Sequence, residues 1–219
     1  MKGWYVGLFI GFKVLWNVHA SGMQPKPLSM YRFMGLANKI GLKPPMLKSG
    51  EFEVRIWNQK SFQYGEAQIL YVLTSHRDRF GLVKYVFKSG KKRLKSSKKL
   101  KPDKPVTDSL WYQLAQQDIL ALPDESAIES QLRPYHDTST WVTVEKDSSI
   151  SIRGHKREKS VWILDGESYY FEVFGQDSYR TYTYSNPKSY LHAKPQITQL
   201  QKVVCILNSI ESRFLPSSK

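Results

Sequence analysis

The stretch over residues 160–187, SVWILDGESYYFEVFGQDSYRTYTYSNP, constrains the fold more than any other part of the chain. A short apolar run at 161–164 is closed by Asp165-Gly166, a dipeptide suited to a tight hairpin turn. Residues 168–174 then alternate, with Tyr169, Phe171 and Val173 on one side and Tyr170, Glu172 and Phe174 on the other. A second turn at 175–178 leads into 179–184, which Asn186-Pro187 brings to a stop. β-Branched and aromatic residues dominate, as a pleated, half-buried surface favours. The pattern predicts an antiparallel meander of three strands.

The same period of two recurs upstream. Residues 51–58, EFEVRIWN, put Phe52, Val54 and Ile56 on a core face and Glu51, Glu53, Arg55 and Trp57 on the opposite one. Glu51, Glu53 and Arg55 read as a solvated charge ladder, and Trp57 as an exposed contact residue. Residues 67–74 and 80–87 predict two more strands, separated by the polar turn 75–79, and 141–146 with 149–153 a further hairpin.

Helical spacing appears in three places. Met30, Phe33, Met34, Ala37 and Ile40 predict a short helix over 29–40, ended by Gly41 and Pro44-Pro45. Leu110, Trp111, Leu114, Ala115 and Ile119 mark a helix over 109–122, which Pro123 ends, and Asp124 starts a shorter one through Leu132. Ile197, Leu200, Val203, Val204, Leu207, Ile210 and Phe214 form a wide apolar face on a helix over 195–214, with Cys205 and Ile206 near its rim. The fold class expected is α+β: an antiparallel β-meander sheet with a C-terminal amphipathic helix and a central helix pair packed on one face.

The chain's 219 residues suit one such domain over 21–219. Its first twenty residues resemble a secretory signal, with Lys2, an apolar run at 3–12 and Val18-His19-Ala20 before a cleavage point. Lys13 interrupts the apolar run, which falls short of the roughly 20 residues a membrane-spanning helix needs. An extracytoplasmic location after cleavage near Ala20 is expected, with no transmembrane helix in the mature chain. The single cysteine, Cys205, forbids an internal disulfide and cysteine-based zinc sites.

The net charge of +14 invites a nucleic-acid reading. Its distribution argues against one. Residues 84–104 hold ten basic side chains against Asp103, a net of +9, leaving +5 for everything else. Within them, 88–104 is expected to be a solvated or partly disordered loop, or else a hairpin crossing whose Lys-rich edges discourage strand addition, and its Lys91, Lys92, Arg93, Lys95, Lys98 and Lys99 could bind an anionic glycan, a membrane surface or nucleic acid. An extracytoplasmic address makes nucleic acid the least suitable of the three.

Motifs for catalysis are missing. There is no GxxxxGK[ST] phosphate loop, no GxGxxG, no HExxH and no GxSxG. His136-Asp137 with Ser139 is the best triad the sequence offers, and adjacent residues do not make one. No metal, cofactor or catalytic residue is therefore assigned. The function expected is an exported, non-enzymatic binding or interaction module, its partner a protein or an anionic surface. Its ligand contacts would be Trp57, Tyr170, Tyr182 and Tyr184 as stacking platforms, although a meander needs such residues for its core. An anionic-polymer binder acting through 84–104 is the first alternative, and a hydrolase without a recognisable short motif the second.

Overall fold

The computed structural model describes residues 28–60, 69–76, 79–89, 94–133, 140–146, 149–154, 161–163 and 166–215. The expected signal segment, the His136, Asp137 and Ser139 group, and Lys91, Lys92 and Arg93 all lie outside these residues. Among the described residues no helix is long and apolar enough to cross a membrane.

The architecture is mixed α+β, built on one antiparallel sheet. Its strands are β1 (Phe52–Lys60), β2 (Ile69–His76), β3 (Arg79–Ser89), β4 (Leu94–Leu100), β7 (Glu167–Phe174) and β8 (Tyr179–Ser185), in the order β4-β3-β2-β1-β7-β8. β1 lies inside the sheet because its alternation gives it two useful faces. It pairs with β2 from Phe52↔Ser75 to Asn58↔Ile69 and with β7 from Glu53↔Phe174 to Lys60↔Glu167. A separate two-stranded sheet joins β5 (Thr140–Val144) to β6 (Ile150–Gly154).

One face of the large sheet carries the main core. Phe52, Val54, Ile56, Tyr71, Phe171 and Tyr182 point from the strands into helices α2 (Asp108–Gln116), α3 (Glu129–Leu132), α4 (Pro187–Ala193) and α5 (Thr198–Glu211). α5 buries Leu200, Val203, Ile206, Leu207 and Ile210, a stripe at steps of three and four residues. Each such side chain contributes roughly 1.5–3 kcal/mol by leaving water. The opposite face is covered by α1 (Leu28–Lys39), whose Phe33, Leu36 and Ala37 close over Trp57, Leu70, Val72 and Phe87. Gly41, at φ +72°, and the amides of Ile40, Gly41 and Leu42, bonded back to Ala37 and Asn38, end that helix as its sequence requires.

Several expectations need correction. Residues 161–163 are not the first strand of the meander; Val161 and Ile163 lie as irregular chain against the core. The helix expected over 109–122 stops at Gln116, and Asp118 turns the chain with φ +57°. The C-terminal helix begins at Thr198 rather than Pro195, after the unforeseen α4 with Pro187 at its first turn. Ile206, placed near the rim, is fully buried, whereas Cys205 is exposed. Of the two readings of the basic stretch, the loop gives way to the hairpin over its described part, because Leu94–Leu100 pairs antiparallel with β3. Glu51, Glu53 and Arg55 form no solvated ladder: they are 8%, 8% and 4% exposed.

Candidate functional site

Two of those charged residues, Glu53 and Arg55, belong to a polar network between the sheet and α1. Arg55 and Glu172 face each other across β1 and β7. The Arg55 side chain donates from Nε to Glu53 Oε1 at 2.6 Å and from Nη2 to the Lys43 carbonyl at 2.5 Å, and its guanidinium lies 4.7 Å from the Phe174 ring centre. Glu172 accepts from Trp57 Nε1 at 2.5 Å and from the Tyr179 hydroxyl at 3.1 Å. Burial pushes the Glu172 carboxyl above its ordinary pKa, and these two donors and the Arg55 charge only partly offset that. Separately, Glu51 accepts from the Lys48 amide and from His76 Nδ1, both at 2.9 Å. The Lys48 amide holds Glu51 below the usual carboxylate range, against a smaller upward push from burial.

A recess beside Arg55 and Glu172 is lined by Phe33, Asn38, Leu42 and Phe174 and offers about 20 Å³ to water-sized molecules. That is room for roughly one water. The network has the ingredients of acid–base chemistry, a proton-prone carboxyl between an arginine and two donors, beside this small recess. Its bonds satisfy charges that are buried between the sheet and the segments packed on it. Among the described residues no three His, Cys, Asp or Glu side chains are grouped to hold a metal.

The four aromatic residues read as ligand platforms fall into two pairs on opposite faces, Trp57 opposite Tyr170 on β1 and β7, and Tyr182 beside Tyr184 with ring centres 6.3 Å apart. Trp57 is completely buried, stacked on Phe33 at 4.8 Å and 9° between rings, which corrects its expected exposure. Tyr170 is half-buried on the same face, edge-on to Phe33 at 5.2 Å. Tyr182 and Tyr184 are fully buried on the opposite face. Their hydroxyls donate to the carbonyls of Ile119 at 2.5 Å and Pro123 at 2.8 Å, tying the segment after α2 to β8. Three of the four are thus core residues with polar tips anchored, and they offer no open stacking surface.

The basic residues are placed differently. β4 is the edge strand, and Lys98 and Lys99 on it are exposed, as are Lys88 on β3 and Lys101 just beyond β4. Lys98 sits opposite Val86 and therefore shares a face with Lys84 and Lys88. Lys99 sits opposite Tyr85 on the other face, its Nζ 5.8 Å from that ring's centre. Lys95 lies on the same strand. Positive charge thus flanks the sheet's edge above and below, with Asp103 the sole acid in residues 79–104. No protein-family model, curated protein or solved structure matches the chain.

The Arg55–Glu172 network is what the sequence reading missed. Its signal was present: a glutamate at the centre of YYFEVF is surrounded by residues that seek burial, and a carboxylate there needs donors.

Proposed function

We propose that this protein is an exported binding module that holds an anionic partner against the basic β3–β4 edge. The single observation behind this is the pairing of Leu94–Leu100 with β3, which arrays Lys88, Lys98 and Lys99 along one hairpin at the sheet's edge instead of scattering them in a solvated loop. Lysines held on a strand lose less entropy on binding than lysines on a disordered segment. Packing of Trp57, Tyr182 and Tyr184 into the two cores supports the edge over an aromatic platform as the contact surface. The same lysines also discourage edge-to-edge aggregation, and binding data separate the two roles.

Retention on immobilised heparin is the direct test. Replacing Lys91, Lys92, Arg93, Lys98 and Lys99 with Ser should move elution to much lower salt, since each lost ionic contact removes about one unit of log–log salt dependence on a dense polyanion. Unchanged elution salt sinks the reading. Export is tested by sequencing the N-terminus of the mature protein, where a start at Ser21 is expected.

A further inference from the structure

The two edges of the large sheet are finished in different ways. On β8, side chains take two of the outward amides: Thr183 N–H donates to Asp124 Oδ2 at 2.8 Å, and Ser185 N–H to Glu125 Oε2 at 2.8 Å. Arg180 adds a bond from Nη2 to the Leu122 carbonyl at 2.5 Å. The second half of that edge is capped by side chains. On β4, among the described residues, the only strand partner is β3. Its register with β3 is continuous from Ser96 to Leu100 and shifts only beyond, between Lys88 and Ser89. Ser96 and Ser97 at its centre are small, no proline interrupts the strand, and Pro102 follows its end.

We infer that β4 is a docking edge for an extended acidic peptide, which adds to the sheet as a seventh strand along Ser96–Leu100. The inference rests on the anionic-partner reading above and narrows that partner to a polypeptide. Strand addition supplies affinity through main-chain hydrogen bonds, and side chains beside the edge choose the sequence. Lys98 and Lys99 are neighbours and so project to opposite faces. A partner with two adjacent acidic residues meets one lysine on each face. A second copy of this chain is the wrong occupant, because pairing β4 with itself sets lysines beside lysines, and like charges opposite one another repel.

The test uses the intact protein and capped hexapeptides of sequence Thr-Val-Glu-Glu-Val-Thr, with heparin as a polyanion that cannot form a strand. Two further peptides carry N-methyl groups on alternate amides, one on the odd positions and one on the even. Only one set of amides faces the edge of a bound strand. The expected results are hydrogen-exchange protection of amides within Ser96–Leu100 and affinities for the two methylated isomers that differ by about tenfold or more. A Lys98→Glu, Lys99→Glu variant should prefer Thr-Val-Lys-Lys-Val-Thr instead. Equal affinities for the two isomers, or binding without protection of β4, overturns strand addition. Lysine-dependent heparin retention in that case leaves the anionic-partner reading standing; failure of both peptide and heparin to bind removes both.

Discussion

Glu172 shows how a single buried carboxyl records its surroundings. Burial raises its pKa above that of an unfolded glutamate, so the folded chain holds the proton more tightly than the unfolded one. Stability from this group is therefore greatest below the unfolded value of about 4.3 and falls as pH rises through the folded value. Asp124 has the opposite sign. Burial pushes it up, but hydrogen bonds from Ser126 and Thr183 outweigh burial and depress its pKa, so its contribution is present above about 3.9 and is lost as pH falls through the folded value. Comparing the pH profile of wild-type stability with that of Glu172→Gln isolates the first group. The variant should match the wild type in acid and exceed it near neutrality, because a neutral amide still accepts from one donor and carries no charge to desolvate. Profiles that run parallel across the whole range refute the account. Trp57→Phe keeps the stack on Phe33 but takes one donor from Glu172 Oε2, and denaturant melts should register a loss of about 1–3 kcal/mol.

At the level of strands and helices, the polar anchors around β8 give the next prediction. Asp124 accepts from Ser126 N–H, Thr183 N–H and the Thr183 hydroxyl, so it starts a 3-10 turn and seals a strand edge together. Asp124→Ala should cost about 1–3 kcal/mol by chemical denaturation, because a partly buried strand amide is left without an acceptor. The β5–β6 hairpin should behave in the reverse way. Val142, Val144, Ile150 and Ile152 are 62–72% exposed on it, so Ile150→Thr with Ile152→Thr keeps strand propensity and should shift stability by no more than about 0.5 kcal/mol per site. Such elements differ in how far a sequence announces them. EFEVRIWN declares a strand through its period, yet the same letters could not say that Glu53 and Arg55 would be buried, because burial there depends on α1 folding back over the sheet. LKSSKKL has no apolar period; it becomes a strand through its register with β3, a tertiary effect that overrides a composition typical of loops. PKSYLHA is helical with a proline in its first turn, and the signal that ended the preceding strand concealed the start of α4.

Across the whole molecule, charge and fold answer to separate causes. The two cores are assembled from aromatic and aliphatic residues on both faces of one sheet, and the lysines of the edge lie outside them. A net charge of +14 works against compactness through self-repulsion, most strongly where cations crowd. Lys88, Lys98 and Lys101 are exposed within that crowd. If they served the fold, replacing all three with Ser would lower the melting temperature at every salt concentration. Their placement predicts otherwise. The triple variant should melt at the same temperature as the wild type or a few degrees above it in low salt. The difference should vanish near 1 M salt, where the screening length shrinks to about 3 Å. Thermal melts followed by circular dichroism at the two salt concentrations decide it. A triple variant that melts lower than wild type in both would assign these lysines to holding the β3–β4 hairpin together, and would leave a partner nothing unoccupied to bind.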